Sequence, residues 1–191
     1  FIAPLKRIAA LLPKARQSLF FSATMPAAIA DLGRQFIDDP VRVEVTPQAT
    51  TAERVDQCAT QVAQAEKQAL LTIRLRDGLA SGTIDRALVF TRTKHGADRV
   101  ARHLDAARIP VAAIHGNKSQ GQRTAAIQGF RKADIRVLVA TDIAARGIDI
   151  PGVSHVFNFE LPNVPEQYVH RIGRTARAGA DGIAESFVAP D

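Results

Sequence analysis

Residues 168–179, YVHRIGRTARAG, hold the densest set of reactive side chains in this sequence. Their spacing predicts one helix through the whole segment, with His170, Arg174 and Arg177 at i, i+4 and i+7 on a common face. Arg171 lies beside that face, and Gly173 removes a side chain where something must come close. Three arginines and a histidine with no acid among them cannot neutralise one another. The counter-ion that suits guanidinium forks is an oxygen-rich polyanion such as phosphate. A solvated basic face is the alternative.

Further polar clusters each follow a short apolar run. Thr91-Arg92-Thr93-Lys94 follows Ala87–Phe90, His115-Gly116-Asn117-Lys118-Ser119-Gln120 follows Val111–Ile114, and Thr141-Asp142 follows Ile135–Ala140. Hydroxyls, amides, a glycine and basic groups suit a phosphodiester backbone better than base edges. Each cluster alone could be a solvated loop with a helix cap, whereas together they favour one binding edge. Residues 141–149, TDIAARGID, add two carboxylates, an arginine and Gly147, a place for a close backbone approach. A structural salt-bridge cluster is one reading; a carboxylate such as Asp149 is also the usual partner of ribose hydroxyls.

These clusters need a scaffold, and the periodicity supplies one. From Glu53 onward strands alternate with helices: a strand at 55–62, a helix at 66–79 ended by Ser81-Gly82, a strand at 87–90, a helix at 94–107 and a strand at 111–114. There follow a helix at 119–131 with Ser119 and Gln122 spaced as a capping box, strands at 135–140 and 153–159, the helix of the opening motif, and a strand at 183–188. This alternation predicts a parallel sheet with helices on both faces, and ligands at the carboxyl ends of its strands.

Earlier residues show the same grammar in brief. Phe1 to Leu12 has helical spacing closed by Pro13, and Gln17–Ser22 is an apolar run fit for a buried parallel strand. Ser22-Ala23-Thr24 and Met25-Pro26 then open a helix carrying Ile29, Leu32, Phe36 and Ile37. A half-buried strand is expected where Val41, Val43 and Val45 alternate with polar residues, before the small, polar stretch 46–52 marks a domain boundary. The first segment cannot close a core unaided, and the sequence, which starts at Phe1, reads as a fragment.

Composition sets the outer bounds. The 191 residues are 46% hydrophobic and 23% charged, as in globular proteins, and the net charge of +6 admits an anionic partner. Cys58 is the sole cysteine, which rules out an intramolecular disulfide and argues against zinc; no metal ligand set is expected. No apolar run is long enough to span a bilayer, so no membrane partner is expected and the chain reads as cytoplasmic.

The ordered set Ser22-Ala23-Thr24, Leu88-Val89-Phe90-Thr91, Gln120-x-x-Arg123, Thr141-Asp142 to Asp149, and His170-Arg171-Ile172-Gly173-Arg174-x-x-Arg177 resembles the DEAD-box ATP-dependent RNA helicases of superfamily 2. Tracts such as FTRTKHGAD and IHGNKSQGQR are most similar to the bacterial RhlE-like subgroup. The resemblance implies a RecA-like, P-loop-NTPase-like α/β fold. It implies residues 1–46 as the end of a first RecA-like domain, 47–53 as a linker and 54–191 as the second domain, the helicase C-terminal domain. Arg174 and Arg177 would be arginine fingers on the transferred phosphate, with His170 in the catalytic set and coupling to Ser22 and Thr24. Asp149 and Gly147 would join the ATP site. Thr91, Arg92, Gly116, Gln120, Arg123, Thr141, Arg146 and Gly147 would follow an RNA sugar-phosphate backbone. Arg171 is expected to hold the motif together through a carboxylate.

On this resemblance the cofactor is ATP, with Mg2+ held mainly by the missing first domain. The partners are RNA and that first domain of the same protein, and ATP turnover drives non-sequence-specific RNA binding and local duplex unwinding. The sequence departs from the full pattern: it has no GxxxxGK[ST] loop, no DEAD tetrapeptide and no adenine-reading segment. Alone it is therefore expected neither to hydrolyse ATP nor to unwind RNA. A non-catalytic RNA-binding adaptor on the same fold and a DNA-directed helicase of the same superfamily are the alternatives.

Overall fold

Ala87-Leu88-Val89-Phe90 and Val137-Leu138-Val139-Ala140 are apolar at every position, as strands covered on both faces must be. In the computed structural model, which describes residues 2–22, 25, 27–37, 39–44, 54–145, 152–176 and 180–190, both are central strands with every residue buried. The chain divides into two units, Phe1–Pro47 and Gln48–Asp191.

The second unit is one six-stranded sheet. Its strands are β1 (Val55–Gln61), β2 (Ala87–Phe90), β3 (Val111–Ile114), β4 (Val137–Ala140), β5 (His155–Asn158) and β6 (Gly182–Val188). They lie in the order β1-β6-β5-β2-β4-β3, every pair parallel. In the first unit the helices are α1 (Ile2–Leu11) and α2 (Ala27–Arg34). In the second they are α3 (Lys67–Ser81), α4 (Lys94–Ala106), α5 (Gln120–Arg131), α6 (Asp142–Ala145) and α7 (Pro165–Ile172).

Alternation along the strands sorts the core into two layers. Leu88, Phe90, Leu138, Ala140 and Val156 point to one side, where Ala126 and Phe130 of α5, Ala144 and Ala145 of α6 and Ile172 of α7 pack on them. Ala87, Val89, Val137, Val139 and Phe157 point to the other, under Leu71 and Leu75 of α3 and Val100 and Leu104 of α4. Steps from β1 to β2 to β3 use helices on the second face, and the return from β3 through β4 and β5 to β6 uses the first. That division follows when every crossover has the same hand.

Local signals place the helix ends. Ser119 accepts from the Gln122 amide while the Gln122 side chain accepts from the Ser119 amide, so the expected capping box at α5 is formed. Gly82 ends α3 at φ 77°, a left-handed conformation that costs glycine nothing.

The first unit departs from expectation. Residues 17–22 form no strand: they are irregular, with Leu19 70% and Phe21 87% exposed. A parallel strand needs partners on its hydrogen-bonding edges, and the described residues of this unit offer none. Val41 and Val43 are likewise irregular and exposed, and Val45 lies outside the described residues. The second helix stops at Arg34. Phe36 and Ile37 leave it as their amides turn back onto the Gly33 carbonyl. The expected linker, 47–53, also lies outside the described residues.

Candidate nucleic-acid interface

The register brings the polar clusters together. Phe90 of β2 pairs with Ala140 of β4 and Asn158 of β5, and Ala140 also pairs with Ile114 of β3. Thr91, Thr141, His115 and Phe159 are thus the first residues beyond four adjacent strand ends. A groove of about 370 Å³ opens over this edge, lined by Arg92, Lys94, Thr141, Asp142, Ile143, Pro162, Asn163 and Gln167. Arg92 and Lys94 are exposed. The Arg92 amide donates to Glu160 Oε2 (2.8 Å) and its guanidinium to Asn163 Oδ1 (3.5 Å), which fixes the turn after β2.

Thr91, expected near the RNA backbone, keeps its side chain inside the turn. It is fully buried, and its hydroxyl donates to the Thr93 carbonyl at 3.1 Å, so it props the turn and presents no side chain to solvent. Thr141 is half-buried beside the groove; Gly116 and Gln120 are exposed. Arg123 is half-buried on α5, and its Nε is buried with no hydrogen-bond partner among the described residues. Thr24, Arg146, Gly147, Asp149 and Arg177 lie outside the described residues. Ser22 is exposed in the first unit.

Beside the groove, sharing Asp142 and Gln167 with it, is a recess walled by Phe90, Ala145, His170, Arg171 and Arg174. Here the single helix expected over 168–179 is corrected. α7 ends at Ile172, Gly173 caps it, and the amides of Arg174 and Thr175 close tighter turns on Arg171 and Ile172. The buried Thr175 hydroxyl donates to the Val153 carbonyl at 2.5 Å, and Ala176 turns at φ 54°, where no α-helix continues. Gly182 allows this: a Cβ there would overlap the Thr175 side chain and stand 2.8 Å from the Ala176 nitrogen. His170 and Arg174 still face one recess, but through a turn, with Arg174 Nε donating to the His170 carbonyl at 3.3 Å.

Arg171 is the hub. It is 1% exposed, and its Nε and Nη2 grip Asp142 at 2.6 and 2.8 Å, the bidentate pairing that guanidinium geometry favours. Its Nη1 reaches the Glu160 carbonyl (2.6 Å) and Asn158 Oδ1 (3.2 Å), and its guanidinium carbon lies 5.0 Å from the centre of the Phe90 ring. One side chain therefore ties α7 to the ends of β2 and β5 and to the start of α6. The carboxylate expected to satisfy Arg171 is Asp142.

Sequence reading missed Lys67, Asn158 and Glu160. Lys67 is 5% exposed and donates to the carbonyls of Phe187 (2.9 Å) and Phe159 (3.4 Å), holding the ends of β5 and β6 together. Burial pulls its pKa below the usual lysine range, with the Glu160 charge opposing. A cation opening an amphipathic helix looks solvated in sequence; only the converging carbonyls give it a role.

Against known proteins, the family described as the helicase conserved C-terminal domain matches residues 53–179. The DEAD-box ATP-dependent RNA helicase CshA of Geobacillus kaustophilus is 43% identical over 190 residues, as is CshA of Bacillus subtilis. The chain spans 40% and 38% of those relatives' lengths. These names do not distinguish an RhlE-like subgroup. Among solved structures, S. cerevisiae Dbp5 bound to RNA and ADP BeF3 superposes with a TM-score of 0.83 at 31% identity, covering 99% of this chain and 49% of that one. The E. coli DEAD-box protein SrmB, bound to the regulator RraA, is 42% identical with a TM-score of 0.66, covering 71% of this chain and 78% of that one. With the RecA-like sheet and the ordered motifs already in place, these matches show that the chain belongs to the helicase conserved C-terminal domain family, in its DEAD-box branch.

Proposed function

We propose that the chain is the second-domain half of an ATP-dependent RNA helicase, with residues 1–46 closing a first RecA-like domain and 47–53 linking the two. The observation that carries this is the strand-end edge, where a groove bearing Arg92, Lys94 and Thr141 adjoins a recess bearing His170 and Arg174, separated by the Asp142–Arg171 pair. In this reading the groove takes the RNA backbone, with Gly116, Gln120, Arg123, Arg146 and Gly147 extending it and Thr91 shaping it from beneath. Basic and amide groups holding phosphates explain binding without sequence preference.

The recess serves the nucleotide. Arg174 and Arg177 stabilise charge on the transferred phosphoryl group, Asp149 and Gly147 meet the nucleotide, and His170 couples to Ser22 and Thr24. Family membership implies nucleotide and Mg2+ use, and we assign the metal mainly to the first domain, because phosphate-loop and DEAD residues are absent from this sequence. Bound ATP supplies the phosphoryl group; what these residues contribute is orientation and positive charge. Among the described residues no helix is long and apolar enough to cross a membrane. The cytoplasm is the compartment we assign.

The first unit fits this reading, since its apolar residues Ile8, Leu11 and Phe21 are exposed and call for a larger domain to cover them. The test is ATP turnover with and without RNA or DNA. The 191-residue chain alone should be inactive, and the whole helicase should be stimulated by RNA more than by DNA. RNA-stimulated turnover by this chain alone would overturn the division of labour.

A further inference from the structure

We propose that Asp98, on the outer helix α4, is a positioning residue for RNA: its carboxylate fixes the 115–118 loop, so RNA binds more tightly with that negative charge than without it. This rests on the reading of the strand-end edge as an RNA site.

The geometry is specific. Asp98 Oδ1 lies 2.9 Å from His115 Nε2 and 2.9 Å from Lys118 Nζ. His115 is 2% exposed, and its buried Nε2, though close to Asp98, makes no aligned hydrogen bond to any described residue. On the other side of the ring, Nδ1 accepts the Asn117 amide at 3.3 Å. A nitrogen that accepts carries no proton, so in the neutral ring the proton sits on Nε2, the nitrogen nearest Asp98. The loop closes as the Lys118 amide donates to the His115 carbonyl (3.0 Å), and Lys94 Nζ donates to Asn117 Oδ1 at 3.2 Å. One carboxylate thus stands against both the ring that receives the Asn117 amide and the Lys118 ammonium.

What the loop presents is exposed. Gly116 has no heavy atom within 4 Å of where a Cβ would stand, and Lys118 leads directly into the capped N-terminus of α5. The Asp98 carboxyl is held below the usual carboxylate range, first by the His115 ring beside it, against burial and with Lys118 assisting. The ion therefore persists wherever RNA would bind.

Simple electrostatics predicts the opposite of the proposal, since removing an acid beside a polyanion site should strengthen binding. That makes the sign of the effect the test. Fluorescence anisotropy with a labelled oligouridylate, at low salt on the 191-residue chain, should show Asp98→Asn weakened about three- to tenfold, about 0.7–1.4 kcal/mol. Asp98→Glu should recover most of the affinity. Asp105→Asn, which removes an exposed acid from the same helix, should leave it unchanged or slightly tighter.

Independently of any variant, 15N spectra of the wild-type chain should show His115 protonated at Nε2 and bare at Nδ1. Tighter binding by Asp98→Asn, equal behaviour of Asp98→Asn and Asp105→Asn, or an Nδ1-protonated His115 would each overturn the proposal. A wild-type chain that does not bind the oligouridylate would overturn the RNA reading itself, and the proposal with it, before any variant is made.

Discussion

Residues 17–22 and residues 87–90 carry the same kind of sequence, a short apolar run ending in a hydroxyl or aromatic residue, yet they differ in structure. The second is a strand with every residue buried, and the first is an exposed, irregular segment. What separates them is company. Ala87–Phe90 has β4 and β5 on its two edges and a helical layer on each face. Apolar character alone does not make a strand; hydrogen-bond partners and covered faces do.

Paired truncations test that contrast most directly. Phe130, fully buried under the sheet, should cost about 3–5 kcal/mol when changed to alanine, because the cavity forms inside a packed layer. Phe21→Ala should change the stability of the same chain by less than about 0.5 kcal/mol, as for other exposed positions. Urea unfolding of both variants checks the pair, and similar losses would mean that Phe21 is packed after all.

Slightly smaller is the effect expected at the hub. Arg171→Ala leaves Asp142 without its partner and frees the Glu160 carbonyl, a loss of about 3 kcal/mol and towards 5 only if water is kept out. Asp142 is 24% exposed, so some water reaches it. Arg171→Lys should recover less than half, because one ammonium cannot reproduce a bidentate grip. A melting temperature unchanged in Arg171→Ala would remove the hub from the account.

How far the sequence carries can be judged at these positions. Every strand of the second unit and the Ser119–Gln122 capping box were legible, because periodicity and capping are local. So was the need of Arg171 for a carboxylate. The end of α7 was not, because it depends on Thr175 meeting Val153 and Gly182, contacts made across the sheet. The direction of the Thr91 side chain was hidden for a related reason: a hydroxyl after a strand reads as exposed, and only the packed turn shows it facing inward. Lys67 stayed hidden because its partners are carbonyls 92 and 120 residues away.

The local device gives a smaller test. Ser119→Ala removes one half of the capping box and should cost about 1 kcal/mol, read from the urea midpoint of the chain. Ser119→Asp should keep most of the stability, since a carboxylate caps as well and sits favourably at a helix N-terminus. If alanine were neutral, α5 would owe its start to Phe130 and its neighbours, and the cap would be incidental.

Smallest of all is an effect of pH at the opposite end of the sheet from the groove. His155 opens β5, half-buried, with Nδ1 2.9 Å from the Ser154 hydroxyl. Burial pushes its pKa below the ordinary imidazole value of about 6.5, and the Glu185 charge offsets this only in part. The unfolded chain takes up this proton as pH falls through about 6.5, while the folded ring resists it. In that window the unfolded state binds more protons, so stability declines with falling pH, and the decline ends once the lower folded value is passed. Urea midpoints at pH 7.5, 6.5 and 5.5 should therefore fall more steeply for the wild-type chain than for His155→Gln, which carries no titrating ring. Parallel slopes for the two proteins would show that burial of His155 carries no linkage.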